Sequence, residues 1–212
     1  MGSFIKGVHG GFSGRIGNII GSKWKGIDYM RSLSDRRNKK SSERQIVQRA
    51  KFAFGMAFLQ PLFPVINIGY RNHDSHQVPQ NAAMRQVLLQ VVDGEYPALR
   101  INYAALAIAQ GSLPTSNRES VVVVDDVIQF SWENRQKELD HYGGNRALLL
   151  AIGEGLYPSY SLVDFTRSNL GAVLPLPSGP SGSEVHCYLA FYDTIDTGVS
   201  NSKYVGSVVI PR

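Results

Sequence analysis

Between Lys23 and Lys51 the chain concentrates its positive charge: Lys23, Lys25, Arg31, Arg36, Arg37, Lys39, Lys40, Arg44, Arg49 and Lys51, with Trp24 and Tyr29 among them. Ammonium and guanidinium groups neutralise phosphates, and aromatic rings stack on bases, so this pattern suits a single-stranded nucleic acid. It suits an acidic protein face on the same electrostatic grounds. It is equally what a solvated linker leading into an exposed helix face looks like. The charge is one-sided. Residues 1–51 hold 12 Lys or Arg against 3 Asp or Glu, and residues 52–212 hold 10 against 14, within a net charge of +5. A basic arm on a mildly acidic body also allows head-to-tail packing, where one copy's arm meets the next copy's body.

Other reactive side chains do not combine into a site. His73 and His76 are three apart, but no further Cys or His nearby completes a tetrahedral metal set, so the segment reads as a polar loop. His9 and His186 are isolated, and His141 stands in turn-like DHYGG. The single cysteine, Cys187, excludes an internal disulfide, and its place in the alternating run EVHCYLAFYD suits a buried strand thiol. Asp125 and Asp126 read as a solvated hairpin tip. The glycine-rich opening is not a phosphate-binding loop, because no Gly-Lys-Ser/Thr follows, and GFSG lacks the spacing of a nucleophile elbow. No catalytic residue, metal or cofactor is therefore nominated, and the chain is not expected to be an enzyme.

The elements that carry these residues divide into two styles. Residues 12–31 read as a glycine-rich β-hairpin with a turn at Gly21-Ser22. Gly14, Gly17 and Gly26 suggest bulges or another backbone close by. Such a hairpin has too little apolar area to stand alone. Ser42 with Gln45 forms a capping-box signature for a helix ending at Pro61, carrying Ile46, Ala50, Ala53, Phe54, Ala57 and Phe58 at helical spacing. A second helix is expected over about 80–92. After Pro97 short strands separated by turns follow, at 99–103, 105–111, 127–132, 146–152, 160–165, 171–176, 184–193 and 203–210. That rhythm predicts an immunoglobulin- or fibronectin-like β-sandwich with Trp132 in its core. The expected class is α+β, mainly β: region 1–97 of basic hairpin plus helices, and sandwich 98–212.

The stretches GGFSGRIGNIIGSKWKGIDYMRS and SERQIVQRAKFAFGMAFLQPL resemble the N-terminal half of an uncharacterised Bacteroidota family, and EVHCYLAFYD and NSKYVGSVVI resemble its C-terminal half. The resemblance runs nearly end to end and implies a fold without assigned activity or catalytic residues. The helix QRAKFAFGMAFLQPL is also similar to a pattern in prophage-associated proteins, which implies a structural or assembly role. Where such proteins have a proline-containing helix entrance, this chain has RNKKSSE, a less rigid and more basic start.

These readings converge on a non-enzymatic assembly protein. Phe12, Trp24, Ile27 and Tyr29 are the expected oligomer contacts, and Lys23, Lys25, Arg31, Arg36, Arg37, Lys39, Lys40 and Arg44 the expected basic contacts. The partner is another copy of the chain or an acidic face, with nucleic acid as the alternative. No unbroken run of 18 apolar residues and no secretory leader are read, so no membrane span and a cytoplasmic location are expected.

Overall fold

The structure, a computed structural model, describes residues 2–3, 12–24, 26–34, 40–72 and 78–211. His9, Lys25, Arg36, Arg37, Lys39, His73 and His76, all singled out from the sequence, lie outside them. Contacts group the chain into two compact units, 1–42 and 43–212.

The first unit is a small antiparallel sheet. Strands β1 (Gly2–Ser3), β2 (Gly14–Ile16), β3 (Ile19–Trp24) and β4 (Ile27–Ser32) stand in the order β1-β4-β3-β2. The hairpin expectation holds in kind, but its turn is misplaced. The β2–β3 turn contains Gly17 at φ 59°, and the β3–β4 turn contains Gly26 at φ 82°. Both lie in the left-handed region that glycine enters without steric cost, and a Cβ on either would meet nothing within 4 Å. Their role is conformational. Gly21, expected in the turn, is buried inside β3, where a Cβ would strike the Phe12 carbonyl oxygen and ring. Close approach is the reason for glycine there, and the approaching group is the chain's own Phe12.

The second unit opens with helix α1 (Glu43–Leu59), which puts Ser42 at the N-cap position. Pro61 does not end the helical path. The chain continues through a 3-10 turn (Gln60–Leu62) into α2 (Phe63–Gly69). Pro61 and Pro64 each fall in the first turn of their own segment, where the missing N–H costs no hydrogen bond. Together Glu43–Gly69 spans 27 residues with a window of mean hydropathy 1.5, long and apolar enough to cross a membrane by length and composition, although no unbroken apolar run marks it. In this fold its second half is core: Leu59, Leu62, Val65 and Ile66 are fully buried. Helix α3 (Pro79–Gln86) continues as a π-helical segment Val87–Val91, close to the second helix expected over 80–92.

A short β5 (Val92–Asp93) pairs with β6 (Arg100–Ile101). The strands expected over 99–103 and 105–111 shrink to β6 alone. Residues 105–111 form no ladder because their hydrogen bonds go to separate partners: Gln110 N–H to the Gly69 carbonyl, Ile108 N–H to Ser202 Oγ, and the Ala109 carbonyl to Ser202 N–H.

Then comes the sandwich. Its strands are β7 (Asn117–Val124), β8 (Val127–Glu133), β9 (Arg146–Ile152), β10 (Ser159–Ser161), β11 (Gly171–Pro175), β12 (Glu184–Tyr192) and β13 (Lys203–Val209), with a short helix α4 (Gln136–Tyr142) after β8. One sheet runs β11-β8-β7 and the other β10-β9-β12-β13. Lettered A to G in chain order, these are A-B-E and D-C-F-G. The immunoglobulin constant arrangement differs only in the sheet that strand D joins. The expected sandwich is present. Strand β7 is missing from the sequence reading, its valines hidden behind the polar start NRES.

Sheet β10-β9-β12-β13 is the middle of three layers. On one side Leu148, Leu150, Ile152, Tyr188, Ala190 and Tyr192 pack with the buried helix residues. On the other, Leu149, Ala151, Cys187, Leu189 and Phe191 pack with Ile128, Phe130, Trp132 and Leu174 of the second sheet. Burial on both faces accounts for the continuous apolar run of β9, ALLLAI, where alternation would mark a one-sided strand. Trp132 is in the core as expected: 2% exposed, with Nε1–H donating to the Arg167 carbonyl at 3.0 Å and its ring edge-on to Phe191.

Candidate functional site

The register of the N-terminal sheet decides which of the expected contact residues act together. Trp24 pairs with Ile27, Ser22 with Tyr29, Ile20 with Arg31, and Arg15 with Ile20. Opposite residues of an antiparallel pair share a face, as do alternate residues along a strand. Trp24, Ile27, Tyr29, Ile20, Arg31 and Arg15 therefore lie on one face, apolar at the Trp24 end and basic at the Arg15–Arg31 end. Trp24 is 49% and Ile27 45% exposed, and Tyr29 is half-buried. Phe12 is not with them. It covers Gly21 on the opposite face, which also carries the exposed pair Ile16–Ile19 and Lys23 opposite Asp28.

The basic candidates are spread along the chain. Lys23 and Arg31 are exposed on opposite faces of the sheet, and Lys40 and Arg44 are exposed at the entrance to α1. The remaining four, Lys25, Arg36, Arg37 and Lys39, are outside the described residues.

A second site, in unit 43–212, was not visible in the sequence. A cavity of about 710 Å³ is lined by Asn102, Tyr103, Glu154, Glu184, His186 and Tyr204, and three smaller or apolar neighbours, Ile101, Ala104 and Ser183, complete the wall. The Tyr103 ring lies flat on the His186 imidazole, centroids 4.2 Å apart and planes 11° apart. His186 Nδ1 is 3.0 Å from the Tyr204 hydroxyl. Behind them the Tyr188 hydroxyl donates to the Tyr103 carbonyl at 2.7 Å, fixing the loop that carries Tyr103. Phe58 of α1 meets the Tyr103 ring edge-on at 6.0 Å. An adjoining groove shares Tyr103 and Glu154 and adds Phe54, Ala57, Phe58, Leu99 and Arg100.

Electrostatics there favour neutral His186 and Tyr103 rings. Burial lowers the His186 pKa, with the Glu184 charge acting in the opposite sense. Burial raises the Tyr103 pKa, and the Glu154 carboxylate adds to the rise. The sequence reading passed over His186 as isolated. The signal that pointed to it is the spacing Glu184–His186 at the start of β12. Tyr103, Glu154 and Tyr204 are brought to it from distant positions by the fold.

The remaining candidates keep to structural roles. Cys187 is fully buried and burial pushes its thiol up to about 12, in line with the strand-thiol reading. Asp125 (φ 48°) and Asp126 (φ 62°) form the β7–β8 hairpin tip, as expected. His141 lies at the end of α4, in helix where a turn was expected, with Nδ1 3.1 Å from the Lys137 carbonyl. Among the described residues no three His, Cys, Asp or Glu side chains come together in a metal-binding arrangement.

No curated protein and no solved structure matches the chain. A family model does, over residues 11–206, which takes in the N-terminal sheet from β2 onward, the helices and nearly all of the sandwich: the chain belongs to the family of unknown function designated DUF6266.

Proposed function

We propose that the protein is a non-enzymatic assembly protein that associates with further copies of itself through its N-terminal sheet. The observation that carries this reading is the Trp24–Ile27 cross-strand pair. Two large apolar side chains stand about half exposed, paired across the strands, on a face that also carries Ile20 and Tyr29. Tryptophan and tyrosine with flanking arginine are the residue types that dominate association energy. The charge asymmetry supplies orientation, because the basic arm of one copy is attracted to the acidic body of the next. The Bacteroidota origin suggested by the opening motif, the phage-like cast of α1, and cytoplasmic synthesis before incorporation in a particle belong to the same reading. Size-exclusion chromatography with light scattering tests it. Association that grows with concentration is expected, and a clean monomer at high concentration in both low and high salt sinks the reading.

A second reading has its own observation. Arg15 and Arg31 share the face of Tyr29 and Trp24, the mixture of cation and ring that binds single strands. Replacing Arg36, Arg37, Lys39 and Lys40 with Ala then lowers affinity for all sequences alike and flattens the salt dependence. No retention on DNA or RNA at low salt removes it.

A further inference from the structure

The acidic, aromatic cavity in unit 43–212 has no part in the sheet contact just proposed, and its chemistry is specific. Its two carboxylates, Glu154 and Glu184, are exposed and make no hydrogen bond or ion pair with any described residue. No Lys or Arg is among its lining residues; Arg100 lines the adjoining groove. Three rings form the wall. Tyr103 is stacked on His186, and His186 is held to Tyr204 at 3.0 Å, so their positions are set before anything enters. Ring faces beside carboxylates attract organic cations, because the quadrupole and the full negative charge act in the same direction. A neutral His186 adds no opposing charge. The volume, about 710 Å³, is that of a site for a side chain with its flanking backbone or a small molecule, and too large for a bare metal ion.

We infer that this cavity is a cation site filled, in the assembled protein, by a lysine or arginine side chain from the basic 23–51 segment of a second copy; this rests on the self-association proposed above. Charge complementarity selects the occupant. The residues that line the cavity all fall within 52–212, which holds 10 basic against 14 acidic residues, and the segment offered, 23–51, holds 10 against 3. Lys40 and Arg44 are exposed at the foot of α1, on a stretch whose positive charges oppose the helix dipole at that end. Docking them against carboxylates relieves that repulsion. The Tyr103, His186 and Tyr204 rings cover the aliphatic stem while Glu154 and Glu184 meet the head group.

The test has two arms on the full chain. In the first, L-argininamide is titrated calorimetrically, with L-glutaminamide, which has the same α-amine but an uncharged side chain, as the control. Argininamide binds and glutaminamide does not, and the double substitution Glu154→Gln, Glu184→Gln weakens argininamide about ten-fold or more, which is the loss of about 1.4 kcal/mol. Both positions are exposed, so the variant keeps the fold, and its melting curve verifies this. Equal binding by the variant, or no discrimination between the amides, overturns the site. In the second arm, isotopically light and heavy protein are mixed equally, coupled with a carbodiimide and analysed by mass spectrometry. Glu154 or Glu184 joined to Lys39 or Lys40 of the other isotope is expected. Cross-links confined to one isotope, or none in an assembled sample, overturn the second copy as occupant. A monomer by light scattering refutes the assembly reading, whereas failure of the argininamide titration refutes the cavity, so the two failures are told apart.

Discussion

Trp24→Ala separates a residue that serves assembly from one that serves the fold. Trp24 is 49% exposed. A tryptophan buries up to about 250 Å², so about 120 Å² of it is open to be covered by a partner; at about 25 cal/mol per Å² this is about 3 kcal/mol, or roughly two orders of magnitude in the dissociation constant. The substitution also removes the covered half of the ring from the small N-terminal sheet. Contacts group that sheet in a compact unit of its own, 1–42. The main unfolding transition, that of unit 43–212, is therefore expected to stay where it is. Trp132, buried at 2% exposure, is the natural reporter of that transition once Trp24 is gone, because it is the other tryptophan of the chain. The assay is a pair of measurements on one preparation: thermal unfolding followed by Trp132 fluorescence, and particle size by light scattering over a dilution series. The expected result is an unchanged midpoint with dissociation shifted to about 100-fold higher concentration. A fall of the midpoint by more than about 4 °C, which in a domain of this size corresponds to at least about 1 kcal/mol, shows that the ring serves the fold. Retained particle size at wild-type concentrations refutes the contact outright.

Trp132→Phe removes the indole donor to the Arg167 carbonyl, which keeps only the longer bond from Leu170 N–H, and opens space beside Phe191, so urea unfolding should show a loss of about 2–4 kcal/mol with an unchanged m-value. Lys203 ties the edge strands β13 and β7 together, donating to the Ser116 carbonyl at 2.6 Å and to Glu119 Oε1 at 2.8 Å. Burial pushes the Glu119 pKa up, but the hydrogen bonds from Lys203, the backbone and Ser116 outweigh it and the net shift is down. Its contribution is thus present at neutral pH and is lost as pH falls through the carboxylate range; Lys203→Met should cost about 1 kcal/mol at pH 7, the pair being partly exposed, and should flatten acid denaturation. Burial raises Cys187 from 9.0 to about 12 and Tyr70 from 10.0 to about 12. The folded state therefore holds protons that the unfolded state releases, and stability should decline as pH rises from about 9 towards 12. Arg167, lowered by burial to about 10, acts in the opposite sense above that pH. Native Cys187 should accordingly resist a thiol reagent at pH 8 and react once urea is added; a fast native reaction would contradict its burial.

Local chemistry was readable where it is decided locally. The sandwich strands from 127 onward announce themselves by apolar runs between turns, and the Asp125-Asp126 tip by its composition. Cys187 and Trp132 were placed in the core because each sits in a strand pattern that leaves little alternative. The misplaced turn at Gly21-Ser22 shows the limit. Glycine serves two ends, positive φ at Gly17 and Gly26 and close approach at Gly21, and a sequence does not say which. Pro61 shows another: a proline ends a helix only when its N–H was needed, and here a new helical segment begins around it. Residues 105–111 have strand composition without a ladder, because their partners are single groups on the Gly69 and Ser202 segments.

The cavity was illegible for a stronger reason. Tyr103 comes from a 3-10 turn, Glu154 from the loop after β9, Glu184 and His186 from the start of β12, and Tyr204 from β13. Each is ordinary in its own neighbourhood. They meet because β12 pairs with β13, setting Tyr188 opposite Tyr204, and because the Tyr188 hydroxyl, two residues along from His186 and so on the same side of the strand, holds the Tyr103 carbonyl. Alternation then turns His186 to the Tyr103 side, where the two rings stack. Tyr188→Phe is the substitution that asks whether this chain of placement matters. It removes one hydroxyl that donates to one carbonyl and leaves the ring packing in place, so the loss of stability should be about 1 kcal/mol. If the hydroxyl positions Tyr103, argininamide affinity should fall several-fold while Glu154 and Glu184 remain. Unchanged affinity would show that the Tyr103–His186 stack holds itself, and that the buried hydroxyl serves only the core.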